Sequence, residues 1–492
     1  MLLLGIDLGT SSVKVSIIDA DSQQCLVSTR FPETEAEIIS LQTGWAEQSP
    51  ENWWQFTQEA ILKAHQTKKY NPAGISAIGI AYQMHGLVCV DKNHHVLRNS
   101  IIWCDSRAVP YGEQAFHAIG EKESLSHLLN SPGNFTASKL AWVKENEPAV
   151  FEKIHKIMLP GDFISMKLTG EISTTISSLS EGIFWNFQTD TVSKEVLQAF
   201  GFDEAIIPGI KEVFSTHGTV TKEIAERLFL KEGIPVTYKA GDQPNNAFSL
   251  NVLKPGEIAA TAGTSGVVYG VSDKITYDSA SRVNSFAHVN YTKEEKRLGV
   301  LVCINGTGIL NSWLRKNFFS GSTYKEINQE ASRVPIGSEG LFIYPFGNGA
   351  ERIFENKEMS AGVKGLQFNR HHRGHIARAA QEGIVFALQY GMDIMKDMGM
   401  ELKTVRAGNA NMFLSEVFVT SFANTTGCVV ELYNTDGAIG AARAAGVGAK
   451  IYSGFSECFK AMRVLKRIEP KKELQNIYSD LYADWKNNLL AH

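Results

Sequence analysis

The sequence lacks the features that would direct it to a membrane, to nucleic acid or to an oxidising compartment. No stretch approaches the ~20 consecutive apolar residues that span a bilayer. The opening Met1-Leu2-Leu3-Leu4 run is too short, and too poor in basic flanks, to predict an export signal. Six cysteines (Cys25, Cys89, Cys104, Cys303, Cys428 and Cys458) are scattered without a C-x-x-C pair, so reduced thiols are predicted rather than a disulfide framework. The charges are mixed along the chain and sum to −4, which leaves no basic stripe for nucleic acid. Two common nucleotide fingerprints are missing as well. There is no G-x-x-x-x-G-K-[ST], and no G-x-G-x-x-G follows a strand. Phosphates, if bound, are then bound by hairpin turns. What remains is an enzyme-sized chain of 492 residues, 43% hydrophobic and 20% charged, with length for about two to four domains and an expected cytoplasmic location.

The first such turn is at the N-terminus. Two apolar strands, Leu2 to Asp7 and Val13 to Ile18, are joined by Leu8-Gly9-Thr10-Ser11-Ser12. A positive φ at Gly9 would let the N–H groups of Gly9 to Ser12 point one way, as a nest for an anion. Asp7 at its mouth would repel a bare phosphate but would hold a hydrated Mg²⁺ that bridges to one. The same residues also suit an ordinary hairpin. The design then returns about 250 residues later, as strand Glu257 to Ala262, turn Gly263-Thr264-Ser265-Gly266 and strand Val267 to Tyr269. Just upstream, the strand Val236 to Gly241 ends in Asp242. This repetition predicts a duplicated architecture with a division at 1–246 and 247–492, near the turn Lys254-Pro255-Gly256, and with the halves packed across a cleft. Between the two turns the pattern predicts an amphipathic helix from Pro50 to His65 capped by Ser49, a strand from Ile75 to Ala81 and a small hairpin at 87–97. Residues 100–230 read as helical and loop-rich. A helix from Arg373 to Lys396 and alternating strands and helices from Val405 to Ala449 fill the second half.

Several polar groups lie at strand ends, where ligands collect in open α/β sheets. Asp242, followed by Gln243-Pro244-Asn245-Asn246, suits a general base beside hydrogen-bonding amides, and a near-normal carboxylate pKa suffices for late proton acceptance in phosphoryl transfer. It suits a helix cap equally. Gln83-Met84-His85-Gly86 offers donors for sugar hydroxyls, and Trp103-Cys104-Asp105-Ser106-Arg107 sets an acid beside a base. The run His371-His372-Arg373-Gly374-His375 has no Glu or Cys partner at metal spacing and enters a helix, so no zinc site is expected there.

Taken in order, Gly5-Ile6-Asp7-Leu8-Gly9-Thr10-Ser11, Gln83-Met84-His85-Gly86, the Asp-x-Arg of Trp103 to Arg107, Ala240-Gly241-Asp242, Ala262-Gly263-Thr264-Ser265-Gly266 and Gly374 to Ile384 resemble the FGGY carbohydrate kinases. The Gln-Met-His-Gly form resembles their xylulokinase branch, where glycerol kinases carry Arg-Glu. The resemblance extends to about residue 450. It implies an α/β fold of two actin-like, ribonuclease H-like domains, sugar-binding in the first and ATP-binding in the second. It further implies in-line transfer from Mg-ATP to a ketopentose, D-xylulose, with Asp242 as proton acceptor and Asp7 acting on the metal or near the γ-phosphate. Met84, His85, Asp105 and Gln243 would contact the sugar. Thr10, Ser11, Gly263, Thr264 and Gly308 would contact phosphates, and Gly408 and Asn411 the adenosine. Ala407-Gly408-Asn409-Ala410-Asn411 departs from the family's Gly-Gly adenine loop at its first position, and Gln243 stands where many relatives have Asn. The expected partners are a small-molecule sugar and ATP, with neither nucleic acid nor membrane, and with a homodimer admissible. Two alternatives stay open: another FGGY kinase acting on L-ribulose, gluconate or glycerol, and an actin- or chaperone-like ATPase that transfers nothing to a sugar.

Overall fold

The structure, a computed structural model, describes residues 1–490. The strands that matter here are β1 (Leu2–Leu8), β2 (Val13–Asp19), β3 (Cys25–Phe31), β4 (Ile75–Tyr82), β5 (Gly218–Thr219) and β6 (Pro235–Gly241). Further along come β7 (Glu257–Ala262), β8 (Gly266–Ser272), β9 (Asn284–Ala287), β10 (Leu298–Ile304), β11 (Thr404–Gly408), β12 (Val429–Tyr433) and β13 (Val464–Ile468). The helices are α1 (Pro50–Gln66), α2 (Asp242–Ser249), α3 (Gly308–Phe318), α4 (Arg373–Asp397), α5 (Glu416–Thr426), α6 (Gly437–Gly448) and α7 (Lys472–Leu490).

The chain forms two compact units. The first comprises Met1–Asn251, Phe286–Leu298 and Thr435–Met462, and the second holds Val252–Ser285, Gly299–Asn434 and the chain from Arg463 onward. The observed division differs from a contiguous one at 246/247, because the chain returns to the first unit with α6. The first unit is built on a sheet of order β5-β6-β4-β1-β2-β3, in which β1, β4 and β6 run parallel and β2 and β3 return antiparallel. The second sheet has the order β9-β10-β8-β7-β11-β12-β13, with β8 antiparallel to β7 and with β7, β11 and β12 parallel. Inside both sheets a hairpin is followed, on the side of its first strand, by two parallel strands. The repeat seen in the turns is thus a repeat of topology, an α/β fold with two actin-like domains.

In the first unit α1 starts where its residues dictate. Ser49 Oγ accepts the Asn52 N–H, Pro50 occupies the first turn, and Trp53, Trp54, Ala60 and Ile61 are buried in the core with Leu4, Ile6 and Leu8 of β1. Successive strand residues face opposite ways, so Gly5 and Asp7 of β1 point to the other face. That face is covered by α6, a helix of Gly and Ala for most of its length. A methyl group at Gly5 would overlap the Ala438 carbonyl, and one at Gly79 of β4 would overlap that of Ala441. Glycine is required there by close approach, which lets α6 lie directly on the strands.

Gly79→Ala should therefore force backbone rather than side chains to move, at a cost of about 1–3 kcal/mol. The expected outcome is a lowered thermal unfolding midpoint in calorimetry. An unchanged midpoint would mean that α6 steps away from β4 without loss.

Candidate active site

Register places the polar groups of the first unit at one sheet edge. Asp7 of β1 and Ala240 of β6 both pair with Ala81 of β4, so the C-terminal ends of three parallel strands are level. Asp7, the segment Gln83-Met84-His85 and Asp242 leave the sheet side by side. Asp242 is the first residue of α2, and Asp7 lies against the N-terminus of α6, where a Cβ added to Gly437 would come 2.7 Å from its Cγ. Both acids keep part of their surface open in a densely packed surround. Burial raises the Asp7 carboxyl to about 6, with Lys14 across the β1–β2 pair lowering it and Asp436 raising it. Asp242 is pushed up to about 7, first by burial and then by the Asp7 charge, against hydrogen bonds donated by the Gln243 side chain and N–H. The value stands above the near-normal one that would suffice for late proton acceptance, because desolvation outweighs those two bonds.

Met84 is buried and packs over Gly241, while His85 is partly exposed and adopts a left-handed backbone with φ 63°. The His85 N–H donates to Glu181 Oε1 (3.3 Å), and its Nδ1 lies 3.0 Å from the Glu181 main-chain oxygen. Its own carbonyl accepts Lys139 Nζ at 2.8 Å. Its ring packs edge-on against Phe135 and tilted against Phe286. Glu181 and Lys139 are both fully buried, and sequence reasoning missed them. The only local trace of Glu181 is a charge ending the run Ser177-Ser178-Leu179-Ser180.

Other expected contacts of this unit are differently engaged. Gly9 does not take a positive φ; its N–H turns inward to Asp7 O and Ser12 O, which removes it from a nest of donors. Thr10 Oγ1 donates to Gln83 Oε1 (3.2 Å) and accepts Trp103 Nε1 (2.9 Å), and Gln83 Nε2 donates to Gln48 Oε1 (2.9 Å). The Thr10 hydroxyl and the Gln83 amide therefore order the turn. Ser11 is exposed at its tip. Asp105 is fully buried, and its carboxylate accepts the Ala46 N–H, the Arg107 N–H and the Arg107 guanidinium (Nη2 to Oδ2, 2.7 Å). Those contacts saturate it, so Asp105 braces the 45–46 backbone instead of offering an oxygen to a sugar.

In the second unit, the turn between β7 and β8 rests on the N-terminus of α3. The Ile309 N–H donates to Thr264 O at 3.1 Å, and a Cβ on Gly308 would overlap the Gly263 carbonyl. Glu351, buried and raised to about 7 by that burial, accepts the N–H groups of Asn305 and Gly306 and so holds the strand-to-helix link that carries Thr307 and Gly308. A cavity of about 920 Å³ opens here, lined by Gly263, Thr264, Gly308, Tyr324, Asn328 and Asn411 among others. That volume lies in the range of small-molecule sites. Gly408, at the end of β11, is not among its lining residues. Asn411 reaches the cavity in a left-handed conformation, φ 52°. Elsewhere, His372 Nδ1 caps α4 by accepting the Gly374 N–H, and His375 Nε2 sits 3.3 Å from Glu339. All six cysteines are free, and among the described residues no helix is long and apolar enough to cross a membrane.

Residues 2–249 match the N-terminal domain of the FGGY family of carbohydrate kinases, and residues 258–449 match its C-terminal domain. The chain is 28% identical to a xylulose kinase of Bacillus subtilis over 99% of its own length and 96% of that protein's. It is also 28% identical to a xylulose kinase of Escherichia coli, over 91% and 90%. Crystal structures of a xylulose kinase from Rhodospirillum rubrum and of a glycerol kinase from Plasmodium falciparum with ADP each share the fold with a TM-score of 0.88. The first is 23% identical and covers 100% of this chain and 99% of that one; the second is 21% identical and covers 99% and 98%. Matched in both of its domains, the chain belongs to the FGGY family of carbohydrate kinases, enzymes that move phosphate from ATP to a sugar.

Proposed function

We propose that this kinase phosphorylates a ketopentose, D-xylulose, to D-xylulose 5-phosphate, with Asp242 as the proton acceptor. The observation that carries the reading is the placement of Asp242, an acid raised to about 7 at a strand end, beside Gln243 and the Met84-His85 segment. A base with a pKa near the working pH combines the correct ionisation with a useful driving force for proton transfer. The names of the curated relatives support the ketopentose. Met84, His85 and Gln243 hold the sugar in this reading, and the nucleotide is assigned to the cavity of the second unit. Gly263, Thr264 and Gly308 meet its phosphates there, Asn411 approaches the adenosine, and Gly408 supports that loop from outside the lining. Ser11 remains a phosphate contact of the first unit.

The terminal hydroxyl oxygen of the sugar forms a bond to the γ-phosphorus in line with the bond that breaks, between that phosphorus and the β,γ-bridging oxygen. ADP departs with the bonding pair, and the hydroxyl proton passes to a carboxylate oxygen of Asp242. Asp7 has the hard oxygen donors and open surface that Mg²⁺ requires, with Asp436 and Asp242 adding negative potential nearby. The ion, when bound at Asp7, supplies positive charge to the phosphates.

Three outcomes follow from these assignments. A coupled ADP assay over pentuloses, pentoses, polyols and aldonates should give sugar-dependent ADP release that is fastest with D-xylulose. Release that ignores the sugar would favour an ATPase, and a preferred aldonate or polyol would replace the substrate. Asp242→Asn should lower kcat by about 10²–10⁴-fold while calorimetry still detects sugar binding; near-normal turnover would remove Asp242 from the role of base. The acid form of Asp242 cannot accept a proton, so kcat/KM should fall as pH drops through about 7, approaching a tenfold loss per pH unit. A flat profile from pH 8 to 5.5 would show that no group with such a value governs the reaction.

A further inference from the structure

Glu181 is the last residue of the short helix Ile176–Glu181 and has no exposed surface. Its two carboxyl oxygens do different things. Oε1 accepts the His85 N–H, whereas Oε2 is buried without a hydrogen-bond partner and, together with Met84, crowds the Cα of Gly241: a Cβ built there would stand 2.5 Å from Oε2 and 2.7 Å from Met84 Cγ. The main chain of the same residue takes part too, since its carbonyl can only accept, and so assigns the proton of a neutral His85 ring to Nδ1 and makes Nε2 the acceptor nitrogen. From the other side Lys139 Nζ and Thr136 Oγ1 donate to the His85 carbonyl. A non-glycine residue with φ 63° is costly unless its surroundings fix it. Here Glu181 grips both His85 N–H and ring, while touching the glycine that precedes Asp242.

We propose that Glu181 is a positioning residue for the acceptor sugar, its side chain clamping the His85 backbone in its left-handed conformation and tying that segment to the Gly241-Asp242 step, while its main-chain carbonyl sets the tautomer of the ring. The inference rests on the reading that Met84 and His85 bind the sugar. Its chemistry is that of a neutral acid. Burial, reinforced by the Asp242 and Asp162 charges and opposed by the His85 N–H and by Lys139, holds the carboxyl well above the usual range. An un-ionised Oε2 tolerates its apolar surroundings as a carboxylate could not. Gln has the same shape and is always neutral, so its amide oxygen can still accept the His85 N–H.

The test compares Glu181→Ala with Glu181→Gln on the full-length enzyme. Glu181→Ala should raise KM for D-xylulose by about tenfold or more while KM for ATP stays within about twofold, and Glu181→Gln should bring the sugar KM back to within about threefold of the parent. A sugar-free readout accompanies this: deuterium exchange at the His85 imidazole C2, followed peptide by peptide in mass spectrometry, should be slow in the parent and in Glu181→Gln and several-fold faster in Glu181→Ala. The clamp is overturned if Glu181→Ala raises both KM values alike, if Gln fares as badly as Ala, or if His85 exchange is the same in all three proteins. Should the parent phosphorylate no sugar in the panel, the functional reading fails by itself, and His85 exchange still decides whether the Glu181 side chain holds that segment in place.

Discussion

The first unit depends on keeping two carboxylates close together in a place that solvates them poorly. Asp7 and Asp242 each raise the cost of ionising the site, and the surrounding elements temper that cost without cancelling it. Lys14 stands opposite Asp7 on β2, Asp7 lies against the first residue of α6, Asp242 opens α2, and Gln243 donates to Asp242 twice. Had this compensation been complete, both acids would ionise at ordinary pH and Asp242 would be a weaker base. Level strand ends bring the acids together, and the glycines of β1 and β4 let α6 lie on the strands behind them.

The two hairpin turns share a topology but divide the labour. In the first unit the turn's threonine is consumed by Gln83 and Trp103, and a chain of amides through Gln48 makes it rigid. In the second unit the corresponding threonine lines an open cavity, and rigidity comes from the helix beneath it and from Glu351 behind. One turn is braced from its front and the other from its rear, and the threonine of the second lines a space of ligand size.

Local pattern made much of this legible. The hairpins, the helix from Pro50, the turn at 254–256 and the acid after β6 all follow from periodicity, capping and glycine placement within a few residues. What the sequence could not convey is set by distant neighbours. Asp105 is an acid at a strand end, as a ligand-binding residue would be, and only the fold reveals Arg107 and Ala46 saturating it. The raised pKa of Asp242 depends on burial and on the charge of Asp7, which belongs to the first strand of the chain. Glu181 and Lys139 are residue types that propensity assigns to the surface, and their shared grip on His85 accounts for their place inside. The transfer of α6 to the first unit was hidden for a related reason: its Gly and Ala pattern shows that something packs closely, without naming the partner.

That transfer constrains how the protein is made. The first sheet is complete in sequence by Gly241, yet the helix that covers Gly5 and Gly79 begins only at Gly437. At synthesis rates of about 5–20 residues per second, the ribosome needs roughly ten to forty seconds to cross that interval. Throughout it the nascent sheet carries one uncovered face, a natural client for a chaperone. An N-terminal fragment ending near residue 249 would keep that face bare for good, however well its own strands pair.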